Sequence, residues 1–233
     1  MQHTRNDVLH RMRVTGLVPV LRAPSVEQGV AMARAIAAGG IDVLEVTMTI
    51  PGALQVIRTL VREEPQLLIG AGTVLDAETA RACMLEGAQF IVSPGTNAKT
   101  IELCRRYSCP VMPGALTPTE IVHAWELGAD VIKLFPASAM GGAKYIKSLK
   151  APLPQINIIP TGGISLETAD DFLTAGAFAL GVGADLADPK HLEAGTPERI
   201  TETARRYCEI VRRHRERSPE HPFAPVPPTQ QNV

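Results

Sequence analysis

Lys133 lies inside the apolar run Ala129-Asp130-Val131-Ile132-Lys133-Leu134-Phe135-Pro136, which reads as a buried strand with an amine in its middle. An ammonium in such a place loses hydration, so a neutral, nucleophilic amine is expected to be accessible. A second run, Asp42-Val43-Leu44-Glu45-Val46, carries a carboxylate at the matching place. A buried amine facing a buried acid is the minimum equipment for Schiff-base chemistry on a ketone. The competing reading is a structural ion pair, but buried pairs add little net stability once desolvation is counted.

Those two residues need a fold that brings them together. One cassette recurs, in which a helix ends on glycine and a short apolar strand follows. It appears as Gly40-Ile41-Asp42-Val43-Leu44-Glu45, Gly87-Ala88-Gln89-Phe90-Ile91-Val92, Gly128-Ala129-Asp130-Val131-Ile132-Lys133 and Gly176-Ala177-Phe178-Ala179-Leu180-Gly181. The leading glycines are 47, 41 and 48 residues apart, room for two strand–helix units per interval. The intervening strands read at 17–21, 67–71, 110–113 and 157–161. Interleaving gives eight strands alternating with helices, hence a single parallel (β/α)8 TIM barrel. Capping boxes at Ser25-Val26-Glu27-Gln28 and Thr117-Pro118-Thr119-Glu120 mark helix starts. An open doubly wound sheet fits less well, because no dinucleotide glycine fingerprint is present. Residues 1–13 read as a helix against the barrel's bottom and 197–214 as the last helix. The barrel domain is expected to span 1–215, and the proline-rich stretch 216–233 reads as a disordered tail.

Aligned on the cassette, Glu45, Val92, Lys133 and Gly181 occupy one layer on strands two, four, six and eight. Strands two and six face each other across the axis, so the acid and the amine are expected to meet near the carboxyl ends, where barrel sites form. Two glycine loops, Thr161-Gly162-Gly163-Ile164-Ser165 and Gly181-Val182-Gly183-Ala184, follow strands seven and eight. That is where these barrels hold phosphate on backbone N–H groups. Arg22 ends strand one and can grip a carboxylate through paired hydrogen bonds, or stand on the surface doing nothing. Thr73 and the Ser93-Pro94-Gly95 turn end strands three and four, either lining the pocket or closing turns.

Bulk properties narrow the class. The chain has 233 residues, 45% hydrophobic and 4% aromatic, with a formal charge of −1. That charge argues against a general nucleic-acid or membrane-surface binder, and no run is long enough to span a bilayer. The first residues lack the apolar core of a signal peptide. Cys83, Cys104, Cys109 and Cys208 show no ligand spacing and read as free thiols of a reducing cytoplasm. No metal site and no cofactor are expected.

The motifs Leu44-Glu45-Val46-Thr47, Ile69-Gly70-Ala71-Gly72-Thr73-Val74, Phe90-Ile91-Val92-Ser93-Pro94-Gly95, Met112-Pro113-Gly114, Lys133-Leu134-Phe135-Pro136-Ala137 and Pro160-Thr161-Gly162-Gly163 together resemble the 2-keto-3-deoxy-6-phosphogluconate (KDPG) aldolase family. The family includes 4-hydroxy-2-oxoglutarate (KHG) aldolases, and the resemblance covers about 14–186. It implies a class I aldolase with Lys133 as the Schiff-base lysine and Glu45 as general acid/base. Thr73, Thr161 and Phe135 would contact the pyruvyl part, and Gly162, Gly163, Gly183 and Ala184 would hold phosphate. It further implies a cytoplasmic homotrimer of the Entner–Doudoroff pathway, acting on a phosphorylated 2-keto acid. Two positions depart from relatives: Thr49 stands where some carry arginine, and Ala184 where some carry serine. Arg22 is then expected to take the anion-binding duty. The other readings are the galactonate epimer as substrate, or a barrel that binds such acids without catalysis.

Overall fold

The computed structural model describes residues 3–217. In chain order the elements are α1 (Arg5–Thr15), β1 (Leu17–Leu21), α2 (Val26–Ala38), β2 (Val43–Thr47), α3 (Ala53–Glu63), β3 (Leu68–Gly72), α4 (Ala77–Leu85), β4 (Ile91–Val92) and α5 (Ala98–Arg106). Then follow β5 (Val111–Met112), β6 (Gly114–Ala115), α6 (Pro118–Glu126), β7 (Ile132–Leu134), a 3-10 turn (Ala137–Met140) and α7 (Ala143–Lys150). The chain continues through β8 (Ile158–Pro160), α8 (Ala169–Thr174), β9 (Leu180–Val182), α9 (Lys190–Glu193) and α10 (Pro197–Arg217).

This is an α/β fold built on a curled parallel sheet. The strands pair in the order β5-β4-β3-β2-β1-β9 and, separately, β6-β7-β8. Nine short segments replace the eight strands expected. The fifth expected strand is divided at Pro113, which has no N–H to give to a ladder. A lone parallel bridge, Thr161 to Gly181, joins the ends of β8 and β9.

The repeat holds in the backbone. Gly40, Gly87, Gly128 and Gly176 all adopt φ between 95° and 100°, so each helix turns into its strand through a conformation open mainly to glycine. The Thr117 box is complete, whereas Ser25 receives only the Gln28 amide, half of the expected pair. The last helix runs to Arg217, so the boundary expected at 215 falls within its final turn; 218–233 lie outside the described residues.

Two cores result. The larger lies between sheet and helices, and a smaller one fills the inside of the curl. In the inner core Val18, Val43, Phe90 and Val131 meet Val8, Leu9 and Met12 of α1, which plugs the amino ends of the strands as expected. Phe90 is fully buried, which contributes about 2–3 kcal/mol. Its ring occupies the space over Gly70, where a Cβ would fall 2.2 Å from the ring. Polar ties fasten the plug. Arg5 pairs with the buried Asp130, which also accepts from the Val111 amide at 2.9 Å. Arg11 Nε and Thr15 Oγ1 donate to the two oxygens of Asp42 at 2.7 and 2.6 Å.

Candidate active site

Glu45 sits in the middle of β2, registered against Val20 of β1 and Gly70 of β3. Lys133 sits in the middle of β7, between Gly114 and Ile159. Alternation sends both inward, and they meet: Lys133 Nζ is 3.5 Å from Glu45 Oε1. Exposure is 6% for Lys133 and 2% for Glu45, so bulk water is nearly excluded. The Phe135 ring lies 5.6 Å from the amine, close enough for a cation–π contact.

The pair is a poor stabilising device. At an effective dielectric near 20 its attraction is about 4 kcal/mol, while desolvation costs several kcal/mol per ion. A contact of 3.5 Å is also long for a charge-assisted hydrogen bond. Two buried ionisable groups that are loosely engaged are available to a third reactant.

Missing side chains let polar groups lie close against the strands. A Cβ on Gly72 of β3 would stand 1.9 Å from Glu45 Oε1. A Cβ on Gly181 of β9 would stand 2.1 Å from Thr161 Oγ1, whose hydroxyl fills the gap. Val92, the remaining member of the expected layer, is buried in the inner core. Thr73, next after Gly72, has φ of 58°, a conformation costing about 1–3 kcal/mol for a side-chain-bearing residue and concentrated at functional sites.

The strand ends form a rim above the pair. Arg22 follows β1, is exposed, and has no hydrogen-bond or ionic partner among the described residues. Ser93 Oγ donates to the Gly95 carbonyl at 2.7 Å, which makes the Ser93-Pro94-Gly95 segment a closed turn. The Pro94 carbonyl passes over Gly114, where a Cβ would be 2.0 Å from it, and so runs beside the Lys133 strand.

The two glycine loops end side by side through the Thr161–Gly181 bridge. Gly162 and Gly163 take φ of 91° and 80°. Among the described residues, the N–H groups of Gly162, Gly163 and Ile164 donate to no acceptor, nor do those of Gly183, Ala184 and Asp185. The Gly183 carbonyl accepts from Leu186 and Ala187, which curls that loop back on itself. Six uncommitted backbone donors on two adjacent loops suit an anion.

Sequence reading overlooked Gly72 as a spacer, and it overlooked Thr47. Thr47 is fully buried, two residues beyond Glu45 on the same strand face, so period-two alternation from Glu45 could have found it. The four cysteines are free, and burial raises the Cys83 and Cys104 thiols to about 12, which makes them inert neighbours. No group of three metal-ligating side chains occurs among the described residues. Clefts of roughly 680 and 870 Å³ lie between α2, α3 and α10 and beside the start of α1, and neither Glu45 nor Lys133 lines them.

A curled parallel sheet carrying an amine and a carboxylate inside, with free amides at adjacent strand ends, defines a class of α/β enzymes that bind anionic substrates over the strands' carboxyl ends. The model of the KDPG and KHG aldolase family matches residues 8–203. A 2-dehydro-3-deoxy-phosphogluconate aldolase of Haemophilus influenzae is 34% identical over 91% of this chain and 100% of its own length. The KHG/KDPG aldolase of Escherichia coli K12 is 36% identical over 83% of this chain and 91% of its own. A crystal structure of Legionella pneumophila KDPG aldolase, with pyruvate captured at low pH as a covalent carbinolamine intermediate, superposes with a TM-score of 0.80. It is 28% identical and covers 88% of this chain and 98% of that one. The chain belongs to the KDPG and KHG aldolase family and is an aldolase, a carbon–carbon lyase of the aldehyde-lyase type.

Proposed function

We propose that the enzyme cleaves 2-keto-3-deoxy-6-phosphogluconate to pyruvate and glyceraldehyde 3-phosphate through a Schiff base on Lys133. The observation that carries this reading is the 3.5 Å approach of a buried amine and a buried carboxylate. Lys133 Nζ, relieved of its proton, adds to the C2 ketone, and loss of water leaves an iminium. Glu45, directly or through water, takes the C4 hydroxyl proton. The C3–C4 bond then breaks, and its electron pair flows into the iminium to give an enamine. The aldehyde leaves, C3 is reprotonated by Glu45, and one water returns to release pyruvate and the free amine. No redox partner is required.

The remaining assignments follow the rim. Arg22 grips the substrate carboxylate, while Thr73, Pro94, Thr161 and Phe135 bound the pyruvyl part. The amides of Gly162, Gly163, Gly183 and Ala184 receive the phosphoryl group, with no side-chain hydroxyl at Ala184. The same site accepts 4-hydroxy-2-oxoglutarate, the substrate in the name of the Escherichia coli relative. We further propose that the two sheets form one closed eight-stranded barrel. The Thr161–Gly181 bridge and the continuity of β5 and β6 through Pro113 support that view. Assembly as a homotrimer in the cytoplasm is likewise proposed. No helix among the described residues is long and apolar enough to cross a membrane.

Borohydride added with pyruvate tests the covalent step. The expected result is a stable mass increase localised by peptide mapping to Lys133, and an unmodified Lys133 rejects the route. Comparing kcat/KM for the gluconate, the galactonate epimer and 4-hydroxy-2-oxoglutarate then ranks the substrates.

A further inference from the structure

β1 ends at Leu21, whose last ladder partner is Val46, so regular pairing stops just before Arg22. The next rung is made by a side chain. Thr47 Oγ1 donates to the Leu21 carbonyl at 2.7 Å. Its hydroxyl proton is thereby committed, so the 2.7 Å contact with Thr49 Oγ1 runs with Thr49 as donor. The result is a chain from Thr49 through Thr47 to the peptide that joins Leu21 to Arg22. Its central member is fully buried, where a hydrogen bond is stronger than in water and an unmade one is more costly. The Leu21 carbonyl belongs to the peptide plane from which the Arg22 Cα departs. Fixing that plane fixes the base of a long, exposed and otherwise unpartnered side chain.

We propose that Thr47 is a positioning residue for substrate specificity. Through the Leu21 carbonyl, with Thr49 behind it, it sets the direction in which Arg22 presents its guanidinium to a substrate carboxylate. This rests on the assignment of Arg22 to the carboxylate. Thr47 touches no substrate, because its side chain has no exposed surface.

The test is a double-mutant cycle with KM and kcat measured separately. Thr47→Val, nearly the same shape without the hydroxyl, raises KM for the phosphorylated 2-keto acid by roughly tenfold, the effect of losing one oriented hydrogen bond. Here kcat changes less than about twofold, since the Lys133–Glu45 pair is untouched. Thr47→Ser restores KM. In an Arg22→Ala background, Thr47→Val adds almost nothing, because the residue it acts through is gone. Borohydride trapping at Lys133 is retained throughout. A KM for Thr47→Val within twofold of the parent, or an equal rise in the Arg22→Ala background, overturns the proposal. If Thr47→Val does not fold, Thr49→Val replaces it. That residue is exposed, and its loss raises KM about two- to threefold only when Arg22 is present; an unchanged KM again overturns the proposal. Kinetics unaltered by Arg22→Ala alone would remove the carboxylate assignment itself, a failure distinct from independence of Thr47 and Arg22.

Discussion

Two buried carboxylates face bases at opposite ends of the curled sheet, and they are held very differently. Asp130, at the amino ends, is tied by Arg5 from α1 and by the Val111 amide. Burial pushes its carboxyl above the usual range, a pull opposed mainly by the Arg5 charge. Glu45, near the carboxyl ends, has one long contact with Lys133, and its carboxylate lies over Gly72 in the place a side chain there would take. The first acid has its partners supplied by the protein. The second is held by a single long contact. Removing one partner at the lower end therefore breaks structure, and removing one at the upper end breaks chemistry.

The contrast can be tested at four depths. The largest effect is expected for Lys133→Met, which should reduce kcat by at least about 10⁴-fold, since the nucleophile is gone, while the protein still folds. Unfolding with activity per folded molecule retained would reverse the roles of the two pairs. Gly72→Ala comes next. Its new methyl displaces the Glu45 carboxylate, and a misplacement of this size lowers kcat about 10²-fold. The pyruvate adduct on Lys133 should still form, so mass spectrometry separates a displaced acid from a collapsed site.

At the lower end, Arg5→Ala leaves Asp130 buried without its charge partner and should destabilise the fold by about 3 kcal/mol in urea titration. Activity of the folded fraction should be unchanged. A kinetic defect there would mean that the two ends are coupled.

The smallest effect concerns a surface acid. Glu120 accepts from the Thr117 and Leu116 amides, which holds its carboxyl below the usual range. A lowered native pKa adds stability that is complete above the unfolded value and is lost as pH falls through the folded one. Glu120→Ala should lower the melting temperature by about 1–3 °C at pH 7, and the gap should close on acidification from about pH 5 to pH 3. A gap independent of pH would mean that the ionised cap contributes nothing.

Much of the site was legible because a repeat carries positional information. Glu45 and Lys133 stand at the same place in cassettes that begin at Gly40 and Gly128, and alternation along a strand fixes which face each takes. The glycine-bearing loops after β8 and β9 were legible for the same reason, as loops at known places in the repeat. Pro113 was harder. A proline within an apolar run looks like a strand end, and its effect depends on which neighbour would have accepted an N–H. Arg22 shows a further limit, since a rim residue has no ladder partner to set its direction.

By itself the sequence determined that a basic and an acidic side chain would share one layer inside a parallel α/β fold, because strand period and repeat length are local, covalent properties of the chain. Tertiary structure alone decided that they stop 3.5 Å apart, that the Glu45 carboxylate lies over Gly72, and that Thr47 reaches the Leu21 carbonyl. Those outcomes depend on close packing between strands far apart in sequence. A difference of one ångström there exceeds anything that residue order encodes locally.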